Sequence, residues 1–147
     1  MKHKKYSQKN PIQGDGWRAF SEVCYDISAL DFGPHATALV CEMNAAIKSG
    51  LPIVVIILAA TIVDVLSNED NVVQGYQDNA LGIGMDWLTA AERRQLDWLR
   101  GLRNRVVHYE GVIAGMGATA YDKEYLRKDA DKALLAISPL LAGLEQF

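Results

Sequence analysis

Apolar residues recur at spacings of three and four along most of the chain, the period of a helix that buries one face. Phe20, Val23, Cys24 and Ile27 set that rhythm in a first helix from about Trp17 to Leu30. Gly33 breaks it, and Pro34 suits the first turn of a second helix, where its missing N–H needs no partner. Leu39, Val40, Met43 and Ile47 form the stripe of that helix, and Ser49-Gly50 ends it. A third segment, about Pro52–Ser67, is apolar nearly all round and belongs at the centre of a bundle. Its β-branched residues, Ile53 to Ile57, also permit a buried strand. Length favours a helix, because the pattern continues through Ala59-Ala60 to Leu66 and no second strand candidate exists to pair with it.

The polar stretch Asn68–Asp86, with Gly75, Gly82 and Gly84, is longer than connections in compact domains usually are, and is either a functional loop or the setting of a short helix. Thr89-Ala-Ala-Glu92 is a capping box and opens a fourth helix. Leu99, Leu102, Val106 and Tyr109 follow at helical spacing, and Gly111 supplies the stop. A glycine-rich connection, Gly111–Thr119, leads to a last helix over about Asp122–Glu145. Its stripe is Leu126, Ala130, Leu134, Ile137 and Leu141, and Pro139 predicts a bend. The expected fold is all-α, an up-and-down helical bundle of about five helices. It forms one domain over residues 17–147, after a flexible, Lys-rich tail at residues 1–16.

Composition agrees with a packed domain: half of the 147 residues are hydrophobic and 22% are charged. The net charge of −3 is unevenly spread. Residues 17–88 carry only Arg18 and Lys48 against nine acids, whereas residues 89–111 carry Arg93, Arg94, Arg100, Arg103 and Arg105 against Glu92, Asp97 and Glu110. An acidic protein is a poor general nucleic-acid binder, but a local basic stretch can hold a phosphate. The alternative for such a stretch is a solvated helix face. Cys24 and Cys41 lack metal-type spacing and read as small buried hydrophobes in a reducing compartment. Met1–Pro11 is basic with no apolar segment behind it, so no signal peptide is expected. The apolar run Leu51–Val63 is shorter than the roughly 20 residues a bilayer requires. The expectation is a soluble, cytoplasmic protein with no membrane association.

Few motifs carry chemistry. Gly115-Met-Gly-Ala-Thr-Ala120 fits a loose dinucleotide fingerprint, but that motif works between a strand and a helix, and here it follows a helix. His3, His35 and His108 are not spaced as metal ligands, and neither a metal nor a cofactor is expected. Nothing in the pattern supports pairing Cys24 or Cys41 with His108 as a nucleophile. Trp17, Trp87 and Trp98 read as core or interface anchors.

Arg103-Asn104-Arg105-Val106-Val107-His108 remains. Arg is permanently charged and its planar fork matches phosphate oxygens. His titrates near neutrality, so it can exchange a proton with an attacking 2′-hydroxyl or a leaving 5′-oxygen. His108 is expected in the last helical turn, where the helix dipole favours a cation. Five positions on a regular helix turn through about 140°, so Arg103 and His108 do not share a narrow face, whereas Asn104 and His108 do. Either the helix loosens before His108, or a second copy of the chain completes the site across a two-fold axis. The bland alternative is a polar helix end, with Arg105 and His108 facing solvent or Glu110.

Leu99-Arg-Gly-Leu-Arg-Asn-Arg-Val-Val-His-Tyr109 resembles the signature helix of the HEPN superfamily, small all-α bundles of prokaryotic toxin–antitoxin and defence systems. The hallmark is Arg, a polar residue that is often Asn, a short spacer, then His; Arg103, Asn104 and His108 match it. The resemblance implies a metal-independent endoribonuclease that works as a homodimer on RNA, without a cofactor. His108 would transfer protons, Arg103 would bind phosphate and stabilise the transition state, and Asn104 would orient them. Arg100, Arg105 and Tyr109 are the neighbouring candidates for RNA contact. Many toxin members are neutralised by a nucleotidyltransferase-fold antitoxin. Two features depart from the toxin pattern: Tyr109 follows His108 directly rather than two residues later, and the spacer carries the extra charge of Arg105. Some members of the superfamily are non-catalytic, so the resemblance equally admits a module that binds a partner protein or a nucleotide.

Overall fold

The computed structural model describes residues 11–74, 87–108, 115–117 and 119–145. Among these residues it has five α-helices and no strand: α1 Asp15–Val23, α2 Pro34–Ser49, α3 Pro52–Gln74, α4 Ala90–Val107 and α5 Ala120–Glu145. The fold is an all-α helical bundle, and among the described residues no helix is long and apolar enough to cross a membrane.

The nearly all-apolar α3 takes the central place its sequence demands, packing on α2, α4 and α5, while α5 also carries α1. Ala59 and Ala60 on α3 and Ala130 and Ala133 on α5 are fully buried, small enough for close backbone approach. Larger side chains from the outer helices, Phe20, Met43, Ile47, Leu96 and Leu99, fill the remaining space. Each such side chain contributes about 1.5–3 kcal/mol by leaving water. The α5 stripe Leu126, Ala130, Leu134, Ile137 and Leu141 is buried along its length.

Local signals set most helix ends. The α4 capping box is complete: the Glu92 N–H donates to Thr89 Oγ1 at 3.1 Å, and the Thr89 N–H donates to Glu92 Oε1 at 2.8 Å. Gly50 ends α2 in the left-handed region (φ 68°), and the Leu51 N–H donates to Ala46 O at 3.0 Å, closing a Schellman turn into α3. Thr119 and Asp122 cap α5, which starts two residues before its expected first turn. Pro139 lies inside α5, and the neighbouring Ser138 hydroxyl donates to Leu134 O at 2.7 Å.

Four expectations change. The first helix stops at Val23 instead of reaching Leu30, because the Ser28 N–H and hydroxyl both turn to the Asp26 carboxylate, and a short 3₁₀ turn, Ile27–Ala29, follows. The third helix runs seven residues past Ser67, so the start of the polar stretch is helical; residues 75–86 lie outside the described residues. Cys24 is buried as expected, but Cys41 is exposed on α2.

The fourth concerns the tail. Residues 1–10 lie outside the described residues, but residues 11–16 are docked. Ile12 is buried, and its N–H donates to Ile47 O at 3.0 Å. Arg127 Nη2 donates to Pro11 O at 2.6 Å. The Asp131 carboxylate then receives the Gly16 N–H at 3.0 Å and the Trp17 N–H at 2.8 Å, capping α1 from 115 residues away. Gly16 is required here: a Cβ on it would stand 1.7 Å from the Asp131 carbonyl oxygen.

Candidate functional site

Arg100 and Arg103 are three residues apart on α4 and therefore share a face. That face meets α3 at Asp64, the acid at which the apolar run stops. Arg103 Nη2 donates to Asp64 Oδ2 at 2.9 Å, and Arg100 Nε lies 2.9 Å from Asp64 Oδ1. The second contact is one of charge without hydrogen-bond alignment, since Oδ1 is buried and accepts no aligned hydrogen bond. All three side chains are only 20–27% exposed, so one carboxylate is shared by two half-buried guanidinium groups and the cluster keeps a net positive charge. Arg103 is held a second time, its Nε donating to the exposed Asn104 Oδ1 at 2.8 Å. Two of its five N–H donors, on Nε and Nη2, are thus engaged by different partners, which fixes the guanidinium plane.

His108 is not in the last turn of α4. The helix ends at Val107, and His108 is the residue after it, with extended backbone (φ −119°, ψ 125°) and its N–H donating to Asn104 O at 3.0 Å. Release from helical geometry removes the 140° constraint of a regular helix. The His108 side chain is exposed, while the Arg103 guanidinium points back against α3, and the two are not hydrogen-bonded to each other. Within one chain, then, Arg103 and Asn104 are joined, Arg100 is drawn in through Asp64, and His108 stands apart at the helix exit.

Arg105 takes another direction. It is close enough to Asp129 on α5 to favour that group's ionised form, as does Lys132. Burial outweighs both cations and pushes the Asp129 carboxyl above its ordinary 3.8. Lys132 also lies over the Trp98 ring, 4.3 Å from its centroid, so Trp98 serves as an anchor between α4 and α5. Tyr109 and Glu110 lie outside the described residues.

Asp64 is the member of the cluster that sequence reasoning passed over. The signal was present, because a lone acid in an apolar helix requires a cationic partner once that helix is buried. His35 is exposed on α2, far in sequence from the cluster, and among the described residues no group of three or more His, Cys, Asp or Glu could hold a metal ion. The Gly115 segment leads into α5, and among the described residues no strand precedes it; Gly115 (φ 93°) is buried against Leu126. Chemically, the end of α4 offers a fixed guanidinium, a polar amide and a solvent-facing imidazole, the parts needed to hold a phosphodiester and move a proton beside it. No family model, curated protein or solved structure matches the chain.

Proposed function

We propose that the protein is an endoribonuclease that acts as a homodimer, with Arg103, Asn104 and His108 of each copy facing one RNA backbone. The observation that carries the reading is the Arg103 fork, fixed by Asp64 and Asn104 one turn before an exposed imidazole at the helix exit. In this reading Arg103 neutralises the phosphate, and an imidazole accepts the proton of the 2′-hydroxyl as that oxygen attacks phosphorus. The protonated imidazole of the second copy releases its proton to the departing 5′-oxygen. The products are a 2′,3′-cyclic phosphate and a 5′-hydroxyl, and no step calls on a metal. Pairing across a two-fold axis supplies the second imidazole that a single α4 lacks. A cytoplasmic toxin neutralised by a nucleotidyltransferase-fold antitoxin is the setting that suits this activity.

The test is incubation of wild-type and His108→Ala protein with cellular RNA in the presence of a chelator. Wild type leaves cyclic-phosphate ends, and the variant loses about 10²–10⁴-fold in rate. Intact RNA in both reactions sinks the reading.

One observation favours a second reading, a non-catalytic module that binds a partner protein or a nucleotide. Asp64 already offsets half of the charge of Arg100 and Arg103, so neither offers its full charge to RNA. A stable dimer whose partner capture survives His108→Ala supports that alternative.

A further inference from the structure

A cavity of about 530 Å³ opens on another side of the molecule, where the α2–α3 corner faces the first turns of α5. Leu51, Pro52, Ile53, Val54 and Leu126 give it apolar walls. Gly50, held left-handed by the Schellman turn, and Gly117 add no side chain to fill it. Leu51 and Val54 are 47% and 40% exposed, so large apolar side chains stand in solvent at its mouth.

The rim carries two cations. Lys123 and Arg127 lie four residues apart on α5, on either side of the nearly buried Leu126. Arg127 is held in place, donating to Pro11 O and lying 3.7 Å from the exposed Glu124 carboxylate. Glu124, beside Arg127, and the Asp122 carboxylate, beside Gly117, offset much of this charge, so the rim suits a single negative charge set on Lys123 rather than a phosphate dianion. The volume falls in the range of small-molecule sites, roughly 300–1,000 Å³, which combine apolar walls with a few placed polar groups.

We propose that this cavity binds a free monocarboxylate with an apolar body, of the class of medium-chain fatty acids. The chain lies against Leu51, Ile53, Val54 and Leu126, and the carboxylate meets the Lys123 ammonium within the field of Arg127. The site is separate from the end of α4 and stands or falls independently of the ribonuclease reading.

Decanoate, titrated calorimetrically below its micellar range, is the probe, with decanol as its uncharged counterpart. Wild type binds decanoate with a Kd of about 1 mM or tighter. Lys123→Glu, a change at an exposed position, weakens decanoate about tenfold or more and leaves decanol unchanged. Val54→Glu, at the exposed mouth, weakens both, while circular dichroism reports an intact helical fold for each variant. Failure of wild type to bind decanoate overturns the proposal, as does equal decanoate affinity in wild type and both variants. Binding to phosphatidylglycerol vesicles without binding to monomeric decanoate overturns it too.

Discussion

Two aspartates gather distant donors in this bundle, and they do so in opposite ways. Asp131 receives two backbone N–H groups, from Gly16 and Trp17, in a seam where Gly16 leaves no room for even a methyl group. Asp64 receives two guanidinium groups at the tips of long side chains, with solvent a short distance away. Backbone donors cannot leave without dismantling α1. Side-chain donors can exchange one anion for another while the helices stay still. The first arrangement builds the fold and the second leaves charge that can be redirected, which is what the phosphate-binding role proposed for the end of α4 requires.

The largest effect expected from breaking this contrast is at Gly16. Gly16→Ala drives a Cβ into the α5 backbone and costs about 3 kcal/mol, read by urea denaturation. Asp64→Ala comes next, at about 2 kcal/mol, because it strands two half-buried arginines; thermal melts at low salt check it. If Asp64→Ala is neutral, the arginines find water easily and the α3–α4 end is looser than its geometry suggests. Asp131→Ala removes the cap of α1 and costs about 1 kcal/mol, with a loss of hydrogen-exchange protection confined to the first turn of α1. His108→Ala changes stability by no more than about 0.5 kcal/mol, since the side chain is exposed. A larger loss would make His108 a structural residue and weaken its chemical assignment.

The smallest effect concerns Asp129. Burial raises its carboxyl in the folded state, so the folded protein holds this proton more tightly than the unfolded chain does. Its contribution is therefore fully present below the ordinary value of 3.8 and is lost as pH rises through the folded value. Asp129→Asn should then gain a little stability at neutral pH, under about 0.5 kcal/mol because the group is partly solvated, and the gain should vanish in acid.

What the sequence made legible is what local patterns control. Thr89 and Glu92 announced α4, Gly33-Pro34 and Gly50 bracketed α2, and the spacing of Leu126 to Leu141 marked the buried face of α5. The extension of α3 past Ser67 carried no comparable signal, because Asn68 to Gln74 are mostly polar with no apolar stripe. The early end of α1 depended on Asp26 competing for Ser28, a choice between two local hydrogen-bond schemes that periodicity does not rank. The docking of residues 11–16 was illegible for a different reason: its acceptors, Asp131 and the Ile47 carbonyl, belong to other helices. At the candidate site, Arg103, Asn104 and His108 stood out by residue type. The tie to Asp64 is a tertiary register between α3 and α4, 39 residues apart, and only the packed bundle reveals it.

The seam between α1 and α5 also orders events during synthesis. α1 leaves the ribosome well before α5, and its capping carboxylate is made 115 residues later. At about 5–20 residues per second, roughly 6–23 s pass before Asp131 exists to receive the Gly16 N–H. Through that interval α1 is a nine-residue segment, far below the length at which an isolated helix persists in water. α1 is therefore among the last of the described helices to form, and a ribosome stalled before α5 presents Phe20 and Ile12 to whatever chaperone is near.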